Sequence, residues 1–246
     1  MSELAQEPQW GMVIDVDRCI GCQACVVACR SENNIPTVGE EQVARGRIMD
    51  WIHIERTFSQ GSNIPDEFEY PQGTAEFVPM LCQQCGNAPC ESVCPVFAST
   101  HTFDGLNAQV YNRCVGTRFC AINCPYHVRV FNFYPPTFPH PLEQQLSPDV
   151  TVRASGVMEK CTFCVQRIRK AETDSGLSGE PIEDGQLRPA CVQSCPTTAI
   201  IFGDLNDPES AVSKAAQSMR AKKIYEDLDT KPHVIYLKPE RVANAF

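Results

Sequence analysis

Residues 19–29 read CIGCQACVVAC and decide the fold of this 246-residue chain. Two residues separate each of the first three cysteines and three separate the last two, which is the ligand spacing of a bacterial-type [4Fe–4S] cluster. Gly21 permits the tight turn that this spacing needs, because a cluster takes three ligands from one short loop. Thiolates are soft ligands that suit such clusters, so the motif predicts iron–sulfur chemistry.

Similar cysteine motifs recur along the chain, whose 15 cysteines fall into four groups. In three groups a proline follows the last cysteine, at Pro95, Pro125 and Pro196, as in bacterial two-cluster proteins. Group three lacks one cysteine, because Thr117 stands at the second position. The groups are Cys19, Cys22, Cys25 and Cys29; Cys82, Cys85, Cys90 and Cys94; Cys114, Cys120 and Cys124; and Cys161, Cys164, Cys191 and Cys195.

Two other uses of the cysteines explain less of the pattern. Disulfides disagree with the odd count, and cysteines three residues apart seldom reach bridging geometry. Structural zinc would need two C-x2-C pairs per ion, and it gives no reason for a third spaced cysteine or for the prolines. A zinc-stabilised interaction module stays as the alternative from a different class.

The repeated surroundings of the cysteines predict the fold class. Strands are expected at 12–16 and 108–111, just before groups one and three, and helical turns at 26–29 and 121–124 bear the last cysteine of each. Groups one, three and four are each preceded by a polar and then a basic residue. We therefore expect a loop-rich α+β fold: two bacterial-ferredoxin-like modules in tandem, with an insertion and a C-terminal helix–strand tail.

The segments between and after the groups give further expectations. In chain order these are a strand around 48–54, a polar loop at 59–73, an extended arm at 131–150, a polar loop at 172–188, and in the tail a helix from 206–209 to about Lys223 and a strand at 234–237. The helix start rests on a capping residue followed by Pro208 at the first helical position.

Composition and motifs exclude several functions. A net charge of −9, from 30 acidic and 21 basic residues, argues against a surface that binds nucleic acid. We find no phosphate loop, dinucleotide fingerprint or nucleophile elbow, so we expect no nucleotide and no catalytic site of its own. No apolar window is long enough to span a bilayer and residues 1–10 lack a secretory pattern, so export would depend on a partner.

The layout resembles the four-cluster electron-transfer subunits of complex iron–sulfur molybdoenzymes, of the dimethyl sulfoxide and polysulfide reductase type. The likeness covers nearly the whole chain and includes Cys161-Thr-Phe-Cys164, Pro189-Ala-Cys191, Cys195-Pro-Thr197 and Phe202-Gly-Asp-Leu205. Residues 112–126 are most similar to the iron–sulfur part of the B subunit of alternative complex III. That part is usually fused to a large molybdopterin-like domain, so here we expect the partner to be a separate polypeptide.

The resemblance implies that groups one and four pair, as do groups two and three. The implied ligand sets are site 1 (Cys19, Cys22, Cys25 and Cys195), site 2 (Cys29, Cys161, Cys164 and Cys191), site 3 (Cys82, Cys85, Cys90 and Cys124) and site 4 (Cys94, Cys114 and Cys120, with Thr117 at the missing-ligand position). The implied modules are residues 1–30 with 151–203 and residues 76–134, joined by 31–75 and 135–150 and followed by the tail, 204–246.

Thr117 makes site 4 different. A threonine hydroxyl is a poor ligand for a soft iron site, so we expect three [4Fe–4S] clusters and a [3Fe–4S] cluster at site 4. The alternative is a [4Fe–4S] cluster with water or hydroxide on the unheld iron. Arg18, Arg113, Arg118 and Lys160 adjoin ligands, where they either raise cluster potentials, contact a partner or lie on the solvated surface.

The expected function is single-electron transfer along four clusters. The resemblance places the chain between a molybdopterin-type catalytic subunit and an integral membrane subunit that handles quinone, with site 4 nearest the membrane. The chain would then be peripheral on a membrane complex, on a side that the sequence does not fix. A hydrogenase-linked polyferredoxin subunit is the alternative within this fold.

Overall fold

The computed structural model describes residues 7–59 and 74–239 as a mixed α/β structure with short helices. Apart from its first residue, the polar loop predicted at 59–73 lies outside the described residues. The strands are β1 (Trp10–Asp15), β2 (Ile52–Ser59), β3 (Thr74–Leu81), β4 (Ser99–His101), β5 (Asn107–Gln109), β6 (Val130–Phe131), β7 (Met158–Glu159), β8 (Ile200–Asp204), β9 (Ala221–Lys222) and β10 (Val234–Leu237). The helices are α1 (Ala24–Glu32), α2 (Glu40–Ala44), α3 (Pro89–Ser92), α4 (Phe119–Ile122), α5 (Val165–Ser178), α6 (Ala190–Gln193) and α7 (Ala211–Ala216).

A four-stranded sheet joins the two ends of the described chain in the order β8–β1–β10–β9. Met12 in β1 lies opposite Phe202 of antiparallel β8 and opposite Val234 of parallel β10. Met12 packs into the main core, whereas Val13 points to the other face and packs in a cluster with Val212 of α7. Because both faces are covered, β1 is apolar along its length rather than alternating.

Three two-stranded sheets complete the strand pairing: β2 with β3, β4 with β5, and β6 with β7. The strand expected at 234–237 is confirmed by β10, and those expected at 12–16, 48–54 and 108–111 appear as β1, β2 and β5 with shifted ends. In the described part of the chain, no helix is long and apolar enough to cross a membrane.

Two predicted segments have a different structure. The polar loop expected at 172–188 begins inside α5, which continues to Ser178 and ends at Gly179 in a left-handed conformation. The prediction of a helix from 206–209 to about Lys223 is wrong at both ends. α7 begins after Ser210, whose hydroxyl accepts a hydrogen bond from the Ser213 backbone N–H, and it stops at Ala216.

Left-handed backbone shapes the cysteine loops. Gly21 and Gly116 have φ values of 68° and 72°, and two residues later Gln23 and Arg118 are also left-handed, at 60° and 63°. These later residues cap α1 and α4 respectively. A side chain on either glycine would also clash with neighbouring atoms. Groups one and three therefore share one local backbone path, which agrees with the repeat seen in the sequence.

Candidate iron–sulfur cluster sites

The site 1 cysteines come from opposite ends of the chain and surround one cavity. Cys19, Cys22 and Cys25 belong to the loop and first turn of α1, and Cys195 follows α6. Burial raises the pKa of the Cys25 thiol to about 11, and the neighbouring thiols of Cys19 and Cys195 add to the rise. The structure therefore brings together all four residues expected at site 1.

The site 2 cysteines meet where α1, α5 and α6 approach one another. Burial raises the pKa values of Cys29 and Cys191 well above the ordinary value, and the nearby thiols of Cys161 and Cys164 raise both further. Asn33, just after α1, directs its side-chain amide towards the sulfurs of Cys29 and Cys164, at 3.5 and 3.8 Å. These four thiols form the most deeply buried of the sets, as their shared desolvation indicates.

The site 3 cysteines line a second enclosed cavity and lie within one stretch of chain. Cys82, Cys85, Cys90 and Cys124 all face this cavity. Burial raises the pKa of Cys85 to about 12 and that of Cys90 to about 11. At Cys90 a cation opposes this effect, because Nη1 of Arg129 donates a hydrogen bond to its sulfur at 3.3 Å.

The site 4 cysteines lie nearer to the surface, with Cys94 and Cys114 partly exposed and Cys120 buried. The Ala98 backbone N–H donates to the Cys94 sulfur at 3.1 Å, and the Met158 N–H donates to that of Cys114 at 3.4 Å. Burial acts to raise the pKa of Cys94, but backbone N–H groups around its sulfur lower it overall.

Thr117 occupies the place in its loop that Cys22 occupies at site 1. It follows Gly116 and precedes Arg118, and both of these residues are left-handed. Cys22 likewise lies between two left-handed residues, and both side chains are exposed. The backbone of group three is thus shaped for a second cysteine, although the sequence supplies a hydroxyl there.

The donor sets suit clusters rather than single ions. Within residues 7–59 and 74–239, no three His, Cys, Asp or Glu side chains are arranged to hold one metal ion, and the cysteines of sites 1 and 3 each surround a cavity. Backbone N–H groups donate to the sulfurs of Cys161, Cys164 and Cys195 at 3.3 to 3.4 Å. Such bonds stabilise the negative sulfur of a ligated thiolate and tune cluster potential.

A buried cation also fits anionic clusters. Arg129 is 6% exposed, its Nε has no hydrogen-bond partner among the described residues, and its charge acts on the thiols of Cys90, Cys120 and Cys82. A buried charge without an opposite charge is strongly destabilising, so this guanidinium calls for negative groups beside it. Clusters ligated by thiolates would supply them.

Sequence reasoning missed Arg129, and its only clue was a position among apolar residues at 128–133. It also left open whether the basic residues before the cysteines lie on the surface. Arg18, Arg113 and Arg118 are exposed, whereas the side chain of Lys160 is fully buried. The surface alternative is therefore wrong for Lys160.

Comparisons with known proteins agree with this chemistry. Residues 18–98 match the family model of the 4Fe-4S dicluster domain. The iron–sulfur cluster-binding subunit of menaquinone reductase from Nitratidesulfovibrio vulgaris is 40% identical over 233 residues, which cover 93% of this chain and 88% of that protein. The iron–sulfur subunit of a putative dimethyl sulfoxide reductase from Halobacterium salinarum is 39% identical over 94% of this chain and 79% of its own length. One of the polypeptides of polysulfide reductase from Wolinella succinogenes is 33% identical over 95% and 96%.

These matches decide between the predicted alternatives. A 4Fe-4S family model and relatives that are iron–sulfur subunits confirm iron–sulfur chemistry over a zinc module. The reductase relatives also favour the main prediction over a hydrogenase-linked polyferredoxin. The chain belongs to the family of iron–sulfur electron-transfer subunits of complex iron–sulfur molybdoenzymes, of the dimethyl sulfoxide and polysulfide reductase type.

Proposed function

We propose that the chain passes single electrons along four clusters, with [4Fe–4S] at sites 1, 2 and 3 and [3Fe–4S] at site 4. The grouping of the cysteines carries this proposal. Sites 1 and 3 each line a cavity, and the site 2 thiols raise one another's pKa. For site 4, Cys114 and Cys120 share one apolar cluster, and the charge of Arg129 acts on both Cys94 and Cys120.

The proposed order of the clusters along the electron-transfer path is site 1, site 2, site 3 and site 4. Cys25 of site 1 contributes to the raised pKa of Cys191 in site 2. Cys82 of site 3 contributes to that of Cys161 in site 2. Thiols of consecutive sites therefore affect one another's ionisation, which supports placing site 1 beside site 2 and site 2 beside site 3. Arg129 then links sites 3 and 4.

Two tandem ferredoxin-like modules account for this order. Sites 1 and 2 draw all their ligands from residues 1–30 and 151–203, and sites 3 and 4 draw theirs from 76–134. Residues 31–75 and 135–150 would connect the modules, and 204–246 would form the tail. The exchange of a last cysteine between paired groups, as at Cys29 and Cys195, is the arrangement of two-cluster ferredoxins.

At site 4 the loop geometry supports [3Fe–4S]. Gly116, Thr117 and Arg118 follow the path of a cluster-binding loop, yet the side chain at its centre is a hydroxyl. An iron at that corner would have no thiolate, which favours its loss. A [3Fe–4S] cluster has a comparatively high potential, which suits electron exchange with a quinone.

The proposed partners are a large molybdopterin-type subunit and a quinone-handling membrane subunit. The relatives include an iron–sulfur subunit of a menaquinone reductase and, in Archaeoglobus fulgidus, iron–sulfur subunit 1 of an Hdr-like menaquinol oxidoreductase. Large apolar side chains are exposed around site 4: Phe97, Val115, Phe119 and Ile122, at 72%, 63%, 53% and 74%. Such a patch marks a docking surface, so it supports a partner at this end. Ile20 and Val27, exposed at 59% and 66%, lie beside site 1 at the other end.

Metal and sulfide analysis of the purified protein tests the chemistry directly. We expect about 15 iron atoms per chain, since three clusters would hold four and one would hold three. Acid-labile sulfide should accompany the iron, and the protein should be brown. A colourless protein that contains zinc and no sulfide would contradict the proposal. Purification of the intact complex and identification of its large subunit then test the partners.

A further inference from the structure

Arg129 lies between two of the proposed clusters. Its Nη1 donates a hydrogen bond to the Cys90 sulfur of site 3 at 3.3 Å, and its charge also acts on Cys120 of site 4. Nη2 donates to Ser99 Oγ at 2.6 Å and to Oε1 of Gln109. These neutral partners fix the orientation of the guanidinium without cancelling its charge.

Lys160 is the buried cation that acts on both site 2 and site 3. Its side chain is fully buried, and Nζ donates to the Cys161 carbonyl at 2.9 Å. Its positive charge acts on Cys161 of site 2 and on Cys90 of site 3. The charges of two buried cations therefore act on site 3, and each of them also acts on one neighbouring site.

Neither cation forms an ion pair with a carboxylate in the described ranges of the chain. Glu159, next to Lys160 in sequence, pairs instead with Arg153 at 2.9 Å. Glu91 is linked to Arg129 through the Asn107 amide and pairs with His101 at 2.7 Å. With no carboxylate of the described residues within 4 Å of either cation, their charges act on the cysteine thiols: Arg129 and Lys160 on Cys90, and Lys160 on Cys161.

Site 1 has a different electrostatic environment. The one basic residue beside its first cysteine, Arg18, is 58% exposed and lies 3.8 Å from Asp15. Solvent screens a charge at such a position far more than it screens a buried one. A cluster held by four thiolates is negative and becomes more so when it gains an electron. Buried cations favour the reduced form and so raise the reduction potential.

We propose that Arg129 and Lys160 hold the cluster at site 3 at a higher reduction potential than the cluster at site 1. An electron that enters the series of clusters then resides on site 3 in preference to site 1. Arg129 acts on sites 3 and 4, and Lys160 acts on sites 2 and 3. This inference rests on the proposed ligand sets, which iron analysis tests separately.

The decisive variant is Gln109→Glu, which has the same shape but places a carboxylate against Arg129. The Oε1 atom of the new carboxylate would keep both hydrogen bonds that Gln109 accepts, from Arg129 and from Ser99. The complex is titrated with dithionite and followed by electron paramagnetic resonance, and the resonance lost in Cys85→Ser identifies site 3. We expect the equilibrium constant for adding one electron to site 3 to fall at least tenfold, which lowers the midpoint potential of site 3 by about 59 mV. The midpoint potential of site 4 should fall less, and that of site 1 should not change.

Gln144→Glu is the matched control, because it adds the same charge on the exposed surface. It should leave every midpoint potential unchanged. Lys160→Met provides an independent arm and should lower the potentials of sites 2 and 3, whereas Lys160→Arg should retain them. The inference is overturned if Gln109→Glu binds the wild-type amount of iron and the site 3 potential does not move. If Lys160→Met loses iron, the result with Gln109→Glu alone decides the inference. A wild-type protein that contains no iron would contradict the proposed ligand sets and not the effect of the cations.

Discussion

Nη2 of Arg153 lies 2.9 Å from Oε2 of Glu159, and both side chains are almost completely shielded from solvent. Other buried groups bond both members of the pair. Trp51 Nε1 donates to the same carboxylate at 3.1 Å, and Arg153 Nη1 donates to the Asn33 carbonyl at 2.7 Å. Because Asn33 contacts two site 2 sulfurs, this pair connects the strand β7 to the surroundings of a proposed cluster.

Removal of one member of this pair should destabilise the protein strongly. Arg153→Met leaves the Glu159 carboxylate buried and uncompensated, which costs about 3–5 kcal/mol. For a chain of this size the corresponding fall in melting temperature is on the order of 10 °C, measured by circular dichroism. Arg45→Met is the control. It breaks the exposed pair with Glu41 and should cost at most about 1 kcal/mol, and an equal fall in both variants would refute the role assigned to the buried pair.

Thr117→Cys should change the cluster at site 4. Oxidised wild-type protein is expected to show the near-isotropic paramagnetic resonance of [3Fe–4S]. A cysteine on the existing left-handed loop would supply the missing thiolate, so the variant should lose that resonance and gain one iron per chain. Thr117→Ser keeps a hydroxyl and should behave as the wild type. Absence of the resonance from intact wild-type protein would show that Thr117 does not determine the cluster type.

Asn33→Leu should lower the potential of the site 2 cluster. The change removes the amide that points to the sulfurs of Cys29 and Cys164, and loss of such a bond is worth on the order of 1 kcal/mol, or roughly 40 mV for one electron. A redox titration monitored by paramagnetic resonance measures the shift. Asn123→Leu removes an exposed amide that bonds the Phe119 carbonyl and should shift no potential. Equal shifts in the two variants would rule out a specific effect of Asn33.

His233 should make stability depend on pH. Burial, together with the nearby charges of His101 and Lys223, lowers the pKa of His233 to about 4, whereas the ordinary value is 6.5. The unfolded chain therefore binds the proton more readily, and stability falls as the pH drops from about 6.5 towards 4. At pH 5 the loss from this group is about 2 kcal/mol.

The His233→Gln variant isolates this contribution. Denaturant unfolding of the variant and the wild type is compared at pH 7 and pH 5. The variant should lose less stability on acidification, by about 2 kcal/mol, whatever the other groups contribute. Parallel pH profiles of the two proteins would show that His233 titrates normally in the fold.

Ile122→Glu should weaken docking at the site 4 end. Ile122 is 74% exposed within the patch that also contains Phe97, and a carboxylate there would be buried against an apolar partner. We expect the yield of co-purified membrane subunit to fall on the order of tenfold, with iron content unchanged. Leu177→Glu is the control, because Leu177 is 84% exposed on α5 away from this patch. If Ile122→Glu retains the complex, the membrane subunit binds a different surface of the chain.

Local spacing explains how much of the site was predictable. Three ligands in a cluster loop are close in sequence, so motifs such as residues 19–25 identify them directly. The partner cysteine from afar, such as Cys195 for site 1, follows from a family resemblance and not from spacing. The structure places these cysteines together around cavities, which no local pattern could have shown.

Buried polar groups could not be predicted in the same way. Lys160 and Arg113 occupy similar positions before a cysteine, yet one is fully buried and the other is exposed. The difference arises from tertiary packing, because Lys160 directly follows β7 and its Nζ bonds the buried Cys161 carbonyl, whereas Arg113 ends an exposed 3-10 turn. The start of α7 was missed for a local reason: a capping residue before Pro208 suggested a helix start there, whereas Ser210 caps the helix.

The central position of β1 has a consequence for biosynthesis. This strand is made first, but both of its neighbours, β8 and β10, come from the last part of the chain. At ordinary translation rates the ribosome adds them on the order of 10 s later. In the proposed ligand sets, sites 1 and 2 also await late residues, Cys195 and Cys191, whereas the cysteines of site 3 are complete once residue 124 has been made. Iron–sulfur assembly should therefore proceed from the middle of the chain outwards, and a nascent chain stopped before Cys191 should be able to fill site 3 alone among the three four-cysteine sites.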